Sequence, residues 1–175
     1  MRFISIILCC FSLVLGSSIA MADSPSLNEM LPAYAKAFAG KSRVPFQIPH
    51  PELLEVKKLD GSISSLSIVD SYLSGIYKDK ANLTHRDISM VSMLAGAYIG
   101  QTIISTSKKG HQWILLTEYA KKHPATKRSE PESVYTEYVL TNKAESLSMP
   151  INQVAHYLDS GKPFSANDYA LEQLK

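Results

Sequence analysis

Cysteine is almost absent: the 175 residues contain two, Cys9 and Cys10, side by side near the start. Adjacent cysteines at one end cannot staple a fold, so stability has to come from burial of apolar surface. Charge of one sign is also missing. The formal net charge is +2, and a nucleic-acid binder would show a clear basic excess or a basic stripe. The five histidines, His50, His85, His111, His123 and His156, include no pair at the short spacing that places two imidazoles on one metal. No serine stands in a Gly-x-Ser-x-Gly elbow. No glycine-rich turn follows a strand and opens a helix, as a phosphate loop requires. No metal and no cofactor is expected from these motifs.

What is present begins with a leader. Arg2 is a short basic start, "FISIILCCFSLVLG" is an apolar stretch too short for a permanent anchor, and "SIAMA" supplies small residues before Asp23. This layout predicts a secretory signal peptide over 1–22, cleaved after Ala22 or Ala20, and hence an exported protein, periplasmic or secreted. Both cysteines leave with it. The 23–175 remainder carries 17 basic against 16 acidic residues and suits one domain with an ordinary core.

Along that domain the apolar spacing predicts mostly helices. Ser26 caps a first one through Leu27, Met30, Leu31, Tyr34 and Phe38, with Pro32 as a kink or late start and Gly40 as the stop. Extended chain crosses Pro45 to Pro51, and Leu53, Leu54 and Val56 suggest a short strand or a single turn. A second helix is expected over about 65–77. Thr84 and Asp87 form a shortened capping box for a third, running to about Ser107. The third helix is apolar around most of its circumference, which places it in the middle of a domain or in a membrane. Its least polar part, Met90 to Ile104, is 15 residues long and rises about 22 Å, short of a bilayer core of roughly 30 Å. No transmembrane segment is therefore expected in the mature chain. Gly96 and Gly100 each cost about 1 kcal/mol inside a helix against alanine, and close approach of a neighbour is the return.

Strands are expected at "HQWILLTEY" and at "SVYTEYVLT", Ser133 to Thr141, joined by a polar link too long for a tight hairpin. Ser148 is expected to cap a helix to Leu158, and Ser165 another to Leu174. The class is α+β: a central buried helix and flanking helices packed on a small antiparallel sheet.

For chemistry, two places stand out. Asp70 lies on a largely apolar helix; with Glu118 or Glu137 in one cleft it would make a paired-carboxylate hydrolase acting on envelope or extracellular polymer. Read more simply, it bonds to a loop amide or faces solvent. The basic run Lys121, Lys122, His123, Lys127 and Arg128, with Tyr119 and Tyr135 near in sequence, suits a recognition surface for a protein or an anionic lipid headgroup.

The stretch from Ser65 to Trp113, "SLSIVDSYL", "LAGAYIGQTII" and "HQWILL", resembles a pattern in small bacterial proteins. These have an Asp-containing helix, a Gly-Ala-Tyr-Ile/Leu-Gly helix and a Trp strand, and some are immunity- or effector-associated. The resemblance covers about fifty residues and implies structural roles for Gly96, Tyr98, Gly100 and Trp113. Where the pattern often has Glu, this chain has Gln101. It implies no activity. The function expected is non-catalytic binding of a macromolecular partner (a toxin, an envelope component or a host target) by a secreted effector or periplasmic immunity-type protein. The alternatives are the hydrolase and a structural subunit of an envelope assembly.

Overall fold

Ser26 starts the first helix, α1 (Leu27–Phe38), with its amide and hydroxyl both donating to the Glu29 carboxylate at 3.0 Å. The chain is described here by a computed structural model over residues 26–42, 47–125 and 132–175. The leader, the Pro45 end of the proline-rich crossing, and Lys127 and Arg128 lie outside these residues. Pro32 sits within α1 without ending it. The helix stops at Gly40, whose φ of 65° lets its amide reach Ala37 O at 3.0 Å and the Lys41 amide reach Lys36 O at 2.8 Å. That pair of bonds satisfies two of the carbonyls a helix end leaves open.

Between α1 and the next helix, Pro51–Leu53 and Val56–Lys58 each form one 3₁₀ turn rather than a strand. The helix α2 (Leu66–Lys78) buries Leu66, Val69, Tyr72, Leu73 and Ile76, the three-and-four spacing expected of it. α3 (His85–Thr106) begins with the predicted box. Thr84 Oγ1 accepts from the Asp87 amide at 3.1 Å, and the Asp87 carboxylate accepts from the Thr84 amide at 3.0 Å and its hydroxyl at 2.6 Å.

α3 is the axis of the molecule. It packs chiefly against α1 and against α6 (Pro150–Ser160), and also touches α7 (Ala166–Leu174). By length and composition alone it is apolar enough to cross a bilayer, with a mean hydropathy of 1.4 over its best 18 residues. Of those residues 61% are buried against the rest of the chain, and that burial accounts for its apolar character. The two glycines are where neighbours come closest. A Cβ at Gly96 would collide with the Ile151 Cα of α6 and lie 2.9 Å from its amide nitrogen; one at Gly100 would collide with the indole of Trp113.

The sheet is smaller than expected. β1 (Gln112–Leu115) turns into a helix, α4 (Leu116–Lys122), where a strand to Tyr119 was expected. Leu115 and Leu116 break the alternation, and Leu116 and Tyr119, three apart, are the two buried residues of α4. Glu118 in its first turn and Lys121 and Lys122 in its last also suit the helix dipole. Likewise a single turn, α5 (Val134–Glu137), precedes β2 (Tyr138–Thr141), because Ser133 Oγ accepts from the Tyr135 amide at 3.3 Å and starts a helix. β1 and β2 are antiparallel, Gln112 facing Thr141 and Leu115 facing Tyr138. A third strand, β3 (Leu147–Ser148), pairs with the other side of β2. Ser148 therefore belongs to the sheet and does not cap α6; Met149 takes the cap position and Pro150 the first turn. Ser165 caps α7 as expected, accepting from the Asp168 amide at 3.1 Å. The α+β class with a central helix and a small antiparallel sheet holds.

Gly96→Ala should lower stability by about 3 kcal/mol despite alanine's higher helix propensity, because the obstacle is backbone that no rotamer change can clear. Gly100→Ala meets a ring that can tilt, and should cost less. Urea midpoints at unchanged m-value check both.

Candidate functional site

The last turn of α4 presents Lys121 and Lys122 to solvent, and His123 follows as the helix cap. The His123 ring lies over Tyr119 with centroids 4.3 Å apart, and its Nδ1 is 3.7 Å from Glu145 Oε2. Tyr119 itself is buried, 8% exposed, and its hydroxyl donates to the Glu145 carbonyl at 2.8 Å. Glu145 sits at φ 61°, in a loop held by Asn142 Oδ1, which accepts from the Ala144 and Ser146 amides at 2.9 and 3.1 Å. The outcome is a base tied together by these contacts, with Lys121 and Lys122 exposed beside it. Tyr119 thus serves as the pedestal. Tyr135 points elsewhere, its hydroxyl sharing a 2.6 Å bond with Ser89 of α3. Lys121, Lys122, His123 and Tyr119 are brought together; Tyr135 is held against α3.

Tyr98 and Trp113 fill the interior, each 4% exposed. The Tyr98 hydroxyl accepts from the Gly61 amide at 3.0 Å and shares a bond with Ser65 Oγ at 2.8 Å, tying the turn before α2 to the central helix.

Asp70 reaches across to the start of α7. Its carboxylate accepts from the Ala166 amide at 2.6 Å, from Ser165 Oγ at 3.2 Å and from the Asn167 amide at 3.5 Å. These are the amides a helix start leaves unsatisfied. Burial pushes the carboxyl up from its usual range, the three bonds pull it down, and Asp168 nearby adds to the rise. Glu118 stands in the first turn of α4 and Glu137 at the end of α5, while every bond of Asp70 goes to the start of α7.

The histidines are spread out. His85 is exposed in the first turn of α3, and His156 lies on the exposed face of α6. His111 is buried and its pKa is lowered by burial and then by Lys109. Among the described residues no three His, Cys, Asp or Glu side chains group as a metal would need. His50 is the one that spacing gave no reason to single out. It has φ 47°, with Nδ1 2.9 Å from Glu52 Oε1 and Nε2 2.8 Å from Asp79 Oδ2. The hydrogen bond to Glu52 does most to raise its pKa above 6.5; burial opposes, and Asp79 adds to the rise. Asp79 is 29 positions away, so only the fold pairs them.

A second feature missed from sequence is a cleft of about 160 Å³ between α1, Gly61 and α3. Gln101 lines it, and its side-chain oxygen is buried and accepts no hydrogen bond among the described residues.

Compared with family models, with curated proteins and with solved structures, the chain matches none.

At pH 7, Asp70→Ala should cost about 1–2 kcal/mol, because the Ala166 amide loses its acceptor. Asp70→Asn, which keeps an acceptor and buries no charge, should stay near wild type. The folded carboxyl titrates above its usual 3.8, so wild type loses stability as pH rises from there through the folded value. The Asn variant should gain on it over that window, as thermal melts across mildly acidic pH will show.

The His50 case has the opposite group and its own window. Its pairing stabilises the fold fully below the usual 6.5 and is lost as pH rises through the higher folded value. Wild type should show a falling step in melting temperature above about pH 6.5 that His50→Asn lacks, asparagine being tolerant of positive φ.

Proposed function

We propose that this chain is an exported bacterial protein that binds a macromolecular partner without catalysing a reaction on it. The surface at the end of α4 is its recognition face. The observation that carries this is the use of Asp70. The acid on which a paired-carboxylate hydrolase would depend has its oxygens committed to the first amides of α7. What is offered to solvent is cationic: Lys121 and Lys122 on a base fixed by Tyr119, His123 and Glu145. Lys127 and Arg128 follow a few positions on in the sequence. Such a surface suits an acidic face on a toxin, an envelope component or a host protein. Complementary charge steers encounter and selects partners more than it adds affinity. The compartment is periplasmic or extracellular, as the leader implies.

Replacing Lys121, Lys122, Lys127 and Arg128 together by serine should abolish capture of the partner from periplasm or host lysate, while the melting temperature stays within about 1 °C, as for surface positions generally. Vesicles with and without anionic lipid, run beside the capture, separate a headgroup ligand from a protein. A signal unchanged by the quadruple variant would remove this face from the function.

A further inference from the structure

Three segments of the chain come together at one end of the small sheet. Gln112 faces Thr141 in the β1–β2 pair, so the turn before β1 and the loop after β2 emerge side by side. The Lys143 amide donates to Lys109 O at 3.1 Å, and the Lys143 side chain passes over Gly110. The same loop holds the end of α4, where Tyr119 donates to the Glu145 carbonyl and His123 approaches the Glu145 carboxylate. Lys108, Lys109 and Lys143 therefore join Lys121 and Lys122 around one loop.

Four of these lysines are exposed and Lys109 is half-buried; none is paired with a carboxylate among the described residues. Over 107–112, 119–125 and 141–146 the one acid is Glu145, which faces His123. Five lysines and one carboxylate give a formal +4 where the whole chain has +2, so the rest of the sequence sums to −2. The charge is polarised toward this end, which a negative surface would draw to itself on approach.

What this end lacks decides the kind of partner. The core of a protein–protein interface takes aromatic residues, methionine and arginine, and is poor in lysine. Among the described residues the large apolar side chains left exposed are Leu53, Val56, Tyr77, Val134 and Leu171, and none belongs to these three segments. No arginine lies in them either. Arginine's planar fork suits a phosphate or carboxylate held in fixed geometry, whereas lysine is a point charge on a flexible stem. Point charges spread over several segments, with no apolar centre, match a field that is itself spread out, as over a sheet of lipid headgroups. We propose that this end of the molecule docks on the surface of an anionic phospholipid bilayer through Lys108, Lys109, Lys121, Lys122 and Lys143, without inserting. The inference rests on the reading of the α4 end as the recognition face and gives that face its partner class.

The test is sedimentation of the protein, purified after export, with vesicles of phosphatidylcholine alone or with about one third phosphatidylglycerol, in about 0.05 M salt. The protein should pellet with the anionic vesicles only, and leave them at about 0.5 M salt, where screening confines the attraction to a few ångströms. Each lysine near such a surface multiplies partition about fivefold, so replacing Lys108, Lys109 and Lys143 by serine should weaken it at least about tenfold. The same charge removed at the exposed Lys36, Lys78 and Lys162 should weaken it less than about threefold, those side chains standing away from the docked surface. Equal pelleting with both vesicles, binding that survives the triple variant, or an equal loss in the control variant would each overturn the proposal. No pelleting with anionic vesicles, while the variant at Lys121, Lys122, Lys127 and Arg128 still loses a captured protein, would overturn the lipid partner and leave the α4 face standing.

Discussion

The contact between the bare backbone of α3 at Gly96 and the Cα of Ile151 sets the spacing of the whole molecule. Two helices that meet backbone to backbone leave no room for adjustment by side chains, so the position of α6 is fixed relative to the axis. Four residues on, roughly one turn, Gly100 does the same for the indole of Trp113, and through it for β1. Helix and sheet are thus located from a single stripe of α3. The glycines lower the helix's own propensity and return that loss as packing density.

From this axis the polar attachments follow. Tyr98 lies between the two glycines in sequence and sends its hydroxyl to Gly61 and Ser65. Asp70, on the helix that those residues start, holds the beginning of α7. Tyr72 donates to the Pro49 carbonyl at 2.7 Å and His50 bonds to Asp79, so the crossing segment is fastened to the middle of α2 and to its C-terminal end. Each attachment joins segments far apart in sequence, and each satisfies a backbone or side-chain group that would otherwise be costly to bury. In a chain whose only two cysteines, Cys9 and Cys10, are adjacent in sequence, this network does the work of crosslinks.

The helices were legible because their signals are local. Ser26, Thr84 and Ser165 at the starts, Gly40 at the stop of α1, and the spacing of Leu66 to Ile76 were all readable, as was the reason for Gly96 and Gly100. The sheet was less so. Leu116 and Tyr119 read equally well as strand or helix residues, and the choice was made by contacts with Val139 and its neighbours that no short window contains. β3 is two residues long and exists only because β2 offers an edge. At the end of α4, Lys121, Lys122 and His123 were identified as a group, while Tyr135 was drawn to Ser89 by a bond spanning 46 positions. Gln101 was noticed as a departure from a pattern, with nothing in the sequence to say that its oxygen is buried.

The apolar interior is divided unequally. Ile114, Leu116, Tyr119 and Val139 form a small cluster apart from the main core around α3. The cationic end of α4 is built on this minor nucleus. Few buried contacts mean a low cost of opening, so that corner can rearrange while the helical body keeps its shape. A docking partner would therefore meet a platform that yields where it touches and stays anchored behind, at the strand pair that Trp113 pins to the axis.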